Sequence, residues 1–136
     1  MRLAHGELLP YLHDAVFFDL QYDARTPGTR TLVMTVQCNP DAGYKPWNNA
    51  TLSLCARGVF LLRCTAWGFC SGQDTIDSWH EGVSDATVSE LARLRGQGAR
   101  PPERLFTITL HSGSCFELVC ESLEITKLKS EGDTHL

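Results

Sequence analysis

Alternation of apolar and polar residues with a period of two runs through most of this chain, and it limits the fold more than any other feature. Leu32, Met34, Val36 and Cys38 alternate with Thr31, Val33, Thr35 and Gln37. Successive side chains of a strand point to opposite faces, so this spacing predicts a strand with one buried side. From Ala15 to Asp23 the same reasoning sets Phe18, Leu20 and Tyr22 against Phe17, Asp19 and Gln21. Thr51 to Arg57 and Val59 to Trp67 read as two more strands, turning at Arg57-Gly58. The second carries apolar residues on both faces (Val59 and Leu61, Phe60 and Leu62), which predicts a central place in the sheet.

Gly68 to Ser84 shows no clear period and reads as loop. One helix follows, with Ser84 or Asp85 as cap, Thr87-x-x-Glu90 in capping-box form, and Val88, Leu91, Ala92 and Leu94 on one face. Gly96 and Gly98 end it, and Pro101-Pro102 keep it from restarting. The last part reads as a hairpin. A three-residue loop at Ser112-Gly113-Ser114 sets Leu110 against Phe116, Ile108 against Leu118 and Phe106 against Cys120. The apolar positions then change phase to Leu123 and Ile125, which predicts a bulge near Glu121-Ser122. The resulting expectation is an α+β, mostly β fold. It is an antiparallel six-stranded meander, sandwich or half-open barrel, with one helix between the fourth and fifth strands. Residues 1–128 form a single domain and 129–136 a polar C-terminal tail.

With 136 residues, 43% of them hydrophobic and 21% charged, the chain can bury a real core. A net charge of −4 argues against nucleic acid, since phosphate binding needs an excess of Lys and Arg. The arginines at 93, 95, 100 and 104 cluster in sequence, but Glu90 and Glu103 sit among them. No apolar run approaches a membrane span, and the first residues lack a secretory h-region. The expectation is a cytoplasmic protein with no membrane partner.

The six cysteines, Cys38, Cys55, Cys64, Cys70, Cys115 and Cys120, contain no CxxC pair. They are read as reduced thiols, most of them inside apolar strands. Cys115 and Cys120 are five apart in one strand, hence on opposite faces and too far apart to bridge. Cys70, beside Ser71-Gly72, is the thiol expected at the surface.

Two constellations stand out as binding candidates. Asp74, Asp77, His80 and Glu81 fall within eight residues, a carboxylate and imidazole set suited to divalent cations. Their spacing matches no named metal loop, and they are read as an acidic face for a basic partner rather than a metal site. Tyr44 and Trp47 in one loop, with Trp79 in another, are aromatics of the kind interfaces concentrate. The alternative is that these rings close the open end of the sheet. His13-Asp14 and His111 are further candidates for acid–base pairing. No GxSxG, HExxH or P-loop pattern occurs, and no cofactor is called for.

Leu12-His13-Asp14-Ala15, leading into a Phe/Leu/Tyr strand, resembles the openings of small uncharacterised bacterial single-domain proteins, some of them immunity-like. Phe116-Glu117-Leu118-Val119 through Leu123-Glu124-Ile125 is similar to their closing pattern. That resemblance implies a non-enzymatic, protein-binding role. A small metal-dependent or His/carboxylate hydrolase using His80 or His13 is the alternative. Homo-oligomerisation through a sheet edge is compatible with either.

Overall fold

The computed structural model describes residues 9–23, 25, 30–65, 74–95 and 104–129. Two short 3-10 turns, Leu9–Leu12 and Lys45–Trp47, accompany eight strands and one helix. The strands are β1 (Val16–Asp23), β2 (Thr31–Gln37), β3 (Thr51–Arg57), β4 (Leu61–Thr65), β5 (Asp74–Glu81), β6 (Arg104–Leu110), β7 (Cys115–Cys120) and β8 (Ser122–Lys129). Helix α1 spans Asp85–Arg95. Among the described residues all pairings are antiparallel, in the order β4-β7-β6-β5-β1-β2-β3-β8. The sheet is therefore open and eight-stranded, not a six-stranded meander, and α1 lies between β5 and β6.

The alternation read from the sequence builds the core. Leu32, Met34 and Val36 of β2 face Ala56, Leu54 and Leu52 of β3, which meet Leu123 and Ile125 of β8. These side chains are at most 1% exposed. They form one cluster with Trp79, Phe106, Ile108, Phe116 and Leu118 from the other half of the sheet. Burial of each such side chain is worth about 1.5–3 kcal/mol.

Two observations show how far the sheet curls. Phe17 on β1 and Phe116 on β7 are three strand steps apart, about 14 Å in a flat sheet. Their ring centroids are 6.0 Å apart. In addition, β3 runs into β4 through residues 58–60, while β7 runs into β8 through Glu121 alone. Since β3 pairs with β8 and β4 with β7, residues 51–65 and 115–129 form one long antiparallel ladder with a bend. At the bend, Phe60 N donates to Val119 O (2.8 Å) and Glu121 N to Arg57 O (3.0 Å). At the other junction, among the described residues, β1 meets β5 at Val16–Thr75 and Phe17–Asp74, and Asp14 and Ala15 continue the contact to Ile76.

Several expectations change. Gly58 does not turn β3 back on itself; with φ +63 it bends the chain from one half of the sheet into the other. β4 is terminal in the strand order, not central: Leu62 and Cys64 pack against the core, and Leu61 and Arg63 border a groove shared with Ala86 and Glu90 of α1. In β1, a bulge between Phe17 and Asp19 leaves Phe18 and Tyr22 exposed while Phe17 points into the core. The β6–β7 register pairs Ile108 with Phe116 and Phe106 with Leu118, two residues from the expected one. Leu110 N donates to Ser114 O, so the loop still has three residues but is shifted by one position, to 111–113. The faces are unchanged, because a slip of two preserves parity. On α1 the buried side is Thr87 and Leu91; Val88 and Leu94 are about half exposed. The phase change after Cys120 is present as the β7–β8 break, with Leu123 and Ile125 buried. The tail beyond Lys129, and Cys70, lie outside the described residues. Among the described residues no helix is long and apolar enough to cross a membrane.

Candidate functional site

The outer face of β5, β6, β7 and β4 carries one polar row. His80 pairs with Thr107, Thr107 with Glu117, and Glu117 with Arg63. These four, with Glu81, Ser84 and Cys115, line a groove of about 640 Å³. A second groove of about 620 Å³ adjoins it along β4, lined by Leu61, Leu62, Arg63, Cys64, Ala86 and Glu90. Arg63 belongs to both.

Glu117 is the buried charge of this face, and the start of α1 is built around it. Ser84 N donates to its Oε2 at 2.6 Å, and the Thr87 hydroxyl donates to Oε1 at 2.8 Å. The Ser84 hydroxyl lies 3.2 Å from the same Oε1. Ser84 also caps the helix, its Oγ accepting from Thr87 N at 3.3 Å. Arg63 Nη1 donates to Thr87 Oγ1 at 3.3 Å. Burial alone pushes the Glu117 carboxyl up. The Ser84 amide, the two hydroxyls and the Arg63 charge outweigh it and hold the group below the ordinary carboxylate range. The positive end of the helix favours the same ionised form. Both Glu117 oxygens are thus occupied, and the residue serves as an anchor for α1 rather than as a base. Thr87 is drawn to Glu117, so Thr87-x-x-Glu90 is not a capping box; Glu90 pairs with Arg93 instead. Cys115 Sγ has Thr109 Oγ1 at 4.0 Å, and no thiol–imidazole hydrogen bond occurs among the described residues.

A second cluster gathers from three distant segments. His13 and Asp14 precede β1, Asp77 lies on β5, and His111 begins the β6–β7 loop. His13 Nδ1 is 3.3 Å from Asp14 Oδ2. His111 Nε2 is 3.2 Å from Asp77 Oδ1 and 3.7 Å from Asp14 Oδ1. The two imidazoles meet edge to face at 5.8 Å. Backbone bonds fix the segments: Asp14 N to Ile76 O at 2.7 Å, Ile76 N to Ala15 O at 2.9 Å, and His111 N to Thr75 O at 2.9 Å. Asp14 adopts φ +65, a left-handed conformation that aspartate tolerates better than most residues.

The candidates chosen from sequence separate in space. Asp74, Asp77, His80 and Glu81 lie on a strand and not in a loop. Asp77 faces His111, His80 lines the first groove, and Glu81 pairs with Arg104. The side chain of Asp74 lies outside the described residues. Trp47 and Trp79 are core residues, 1% and 3% exposed. Tyr44 is half-buried, stacked on Tyr11 at 5.6 Å and edge-on to Trp47 at 5.4 Å. Tyr44 and Trp47 pack on the core from the 39–49 segment, whereas Trp79 lies within β5 and not in a loop. Sequence reasoning missed Glu117 and Arg63; the one signal was a carboxylate inside the otherwise apolar run 116–120.

No family model, curated protein or solved structure matches the chain.

Proposed function

We infer that the protein is a non-enzymatic binding domain that accepts an extended segment of a protein partner along β4. The observation carrying this is the composition of that edge. β4 ends the strand order, its Leu61, Leu62 and Cys64 are half-exposed, and the second groove runs beside it between strand and helix. Among the described residues only β7 pairs with β4. An added strand gains main-chain hydrogen bonds from such an edge and side-chain contacts from the groove. Arg63, at the join of the two grooves, supplies a guanidinium for a carboxylate of the partner. An immunity-like role, with a toxin as the partner, is the sharpest form of this reading.

Hydrogen exchange on the full chain with a captured partner tests it. Amides 61–65 are expected to gain protection, and Leu62→Lys to weaken capture at least tenfold. Protection confined to other strands, with Leu62→Lys binding like wild type, overturns it. The hydrolase alternative draws on one observation, the histidine–aspartate cluster.

A further inference from the structure

We propose that His13, Asp14 and His111, with Asp77 as a fourth donor, form a binding site for a divalent transition-metal cation, zinc in particular. A tetrahedral zinc with bonds of about 2.0–2.1 Å sets its ligand atoms about 3.3 Å apart. Two contacts of the cluster are of that order: 3.3 Å from His13 Nδ1 to Asp14 Oδ2, and 3.7 Å from His111 Nε2 to the other oxygen, Asp14 Oδ1. One ligand atom from each of His13, Asp14 and His111 lies within 4.8 Å of the other two. Asp77 Oδ1 lies 3.2 Å from His111 Nε2, at the border of that three-residue set. Two imidazole nitrogens and two carboxylate oxygens are a donor set that zinc favours over magnesium or calcium.

A second feature points the same way. Thr75 Oγ1 lies 2.7 Å from His111 Nδ1. With Nδ1 carrying the proton and donating to that hydroxyl, the Nε2 lone pair is aimed at the two aspartates. This is how outer-shell groups orient a ligating histidine. The competing arrangement has no metal. Nε2–H of His111 then donates to Asp77, and the imidazole bridges the two carboxylates. A cation replaces that ring proton and draws His13 into the same shell. The four side chains are between 43% and 58% exposed, so a cation has open access and water fills any remaining position. The site is independent of the β4 groove and of the partner proposed for it.

The test is zinc titration of untagged, metal-stripped full-length protein by calorimetry. One zinc per chain is expected, with affinity lowered at least tenfold by His13→Ala and by His111→Ala. Thr75→Val is expected to weaken it by about tenfold, as loss of an outer-shell partner does. His80→Ala, in the separate groove, is expected to bind as wild type. In parallel, imidazole ¹⁵N resonances of wild-type protein should show His13 Nδ1 and His111 Nε2 shifting together on zinc addition. No zinc binding, or binding that survives the double His13→Ala/His111→Ala substitution, overturns the proposal. So do histidine resonances that stay unmoved.

Discussion

The clearest energetic role of a single side chain belongs to Glu117. Its carboxylate faces an amide, two hydroxyls and, through Thr87, a guanidinium. Glu117→Gln presents an NH₂ group to donors, and hydrogen bonds to a charged group are worth about 1.5–3 kcal/mol. A loss of that size is expected at pH 7, read from the denaturation midpoint. Its pH dependence has a definite sign. The folded-state pKa lies below the unfolded value near 4.5, so the contribution is complete above that value. It is lost as the pH falls through the folded pKa, and the gap between wild type and variant should close there. An unchanged gap on acidification would mean that Glu117 is not ionised in the fold. The charge of Glu117 is plain in the sequence, but its partners are not. Ser84 and Thr87 sit some thirty residues earlier, and only the pairing of β4 with β7 brings Arg63 alongside. The histidine cluster is likewise half legible: His13-Asp14 are neighbours in the chain, whereas His111 arrives through β5 and the β6–β7 loop.

Among the elements, the bend between β3 and β4 depends on Gly58. At φ +63 any other residue is strained, and a Cβ there would stand 2.5 Å from Glu121 Cδ and 2.6 Å from its Cγ. Gly58→Ala is expected to destabilise the protein by about 1–2 kcal/mol. Adding Glu121→Ala should relieve the contact and leave the backbone strain, so thermal denaturation of both variants separates the two effects. Equal stability of Gly58→Ala and wild type would remove Gly58 as the determinant of the bend. The strands with clean alternation, β2, β3 and β6, were readable because one face is wholly apolar. β5 was not, because a bulge between Ile76 and Ser78 interrupts the period and its outer face is polar. Losing β5 from the reading is what displaced the helix by one strand. α1 itself was legible from Ser84 to Gly96, but its buried face was not, since a threonine bound to a carboxylate replaces the apolar stripe.

For the molecule as a whole, the decisive pairings are remote in sequence: Thr51 with Lys129, and Leu61 with Val119. Closing such long loops before any contact rewards them slows folding to the millisecond-to-second range. Stopped-flow fluorescence is expected to show this, since Trp47 and Trp79 are buried. Refolding complete within microseconds would contradict it. The same long-range pairing explains why the overall curl was invisible in the sequence. Nothing in residues 51–65 announces that their partners lie at 115–129.

The two junctions of the sheet are unequal, and that inequality has a mechanical meaning. Two continuous strands cross one of them, forming a spine that cannot part without breaking the core. The other, among the described residues, is a clasp between β1 and β5 of two strand pairs and the bonds of Asp14 and Ala15 to Ile76. Opening of the folded protein is expected to begin at the clasp, with the amides of residues 14–17 and 74–76 exchanging before those of 51–65. His13 and Asp14 sit on one leaf of it, Asp77 and His111 on the other. Whatever those four side chains hold fastens the clasp.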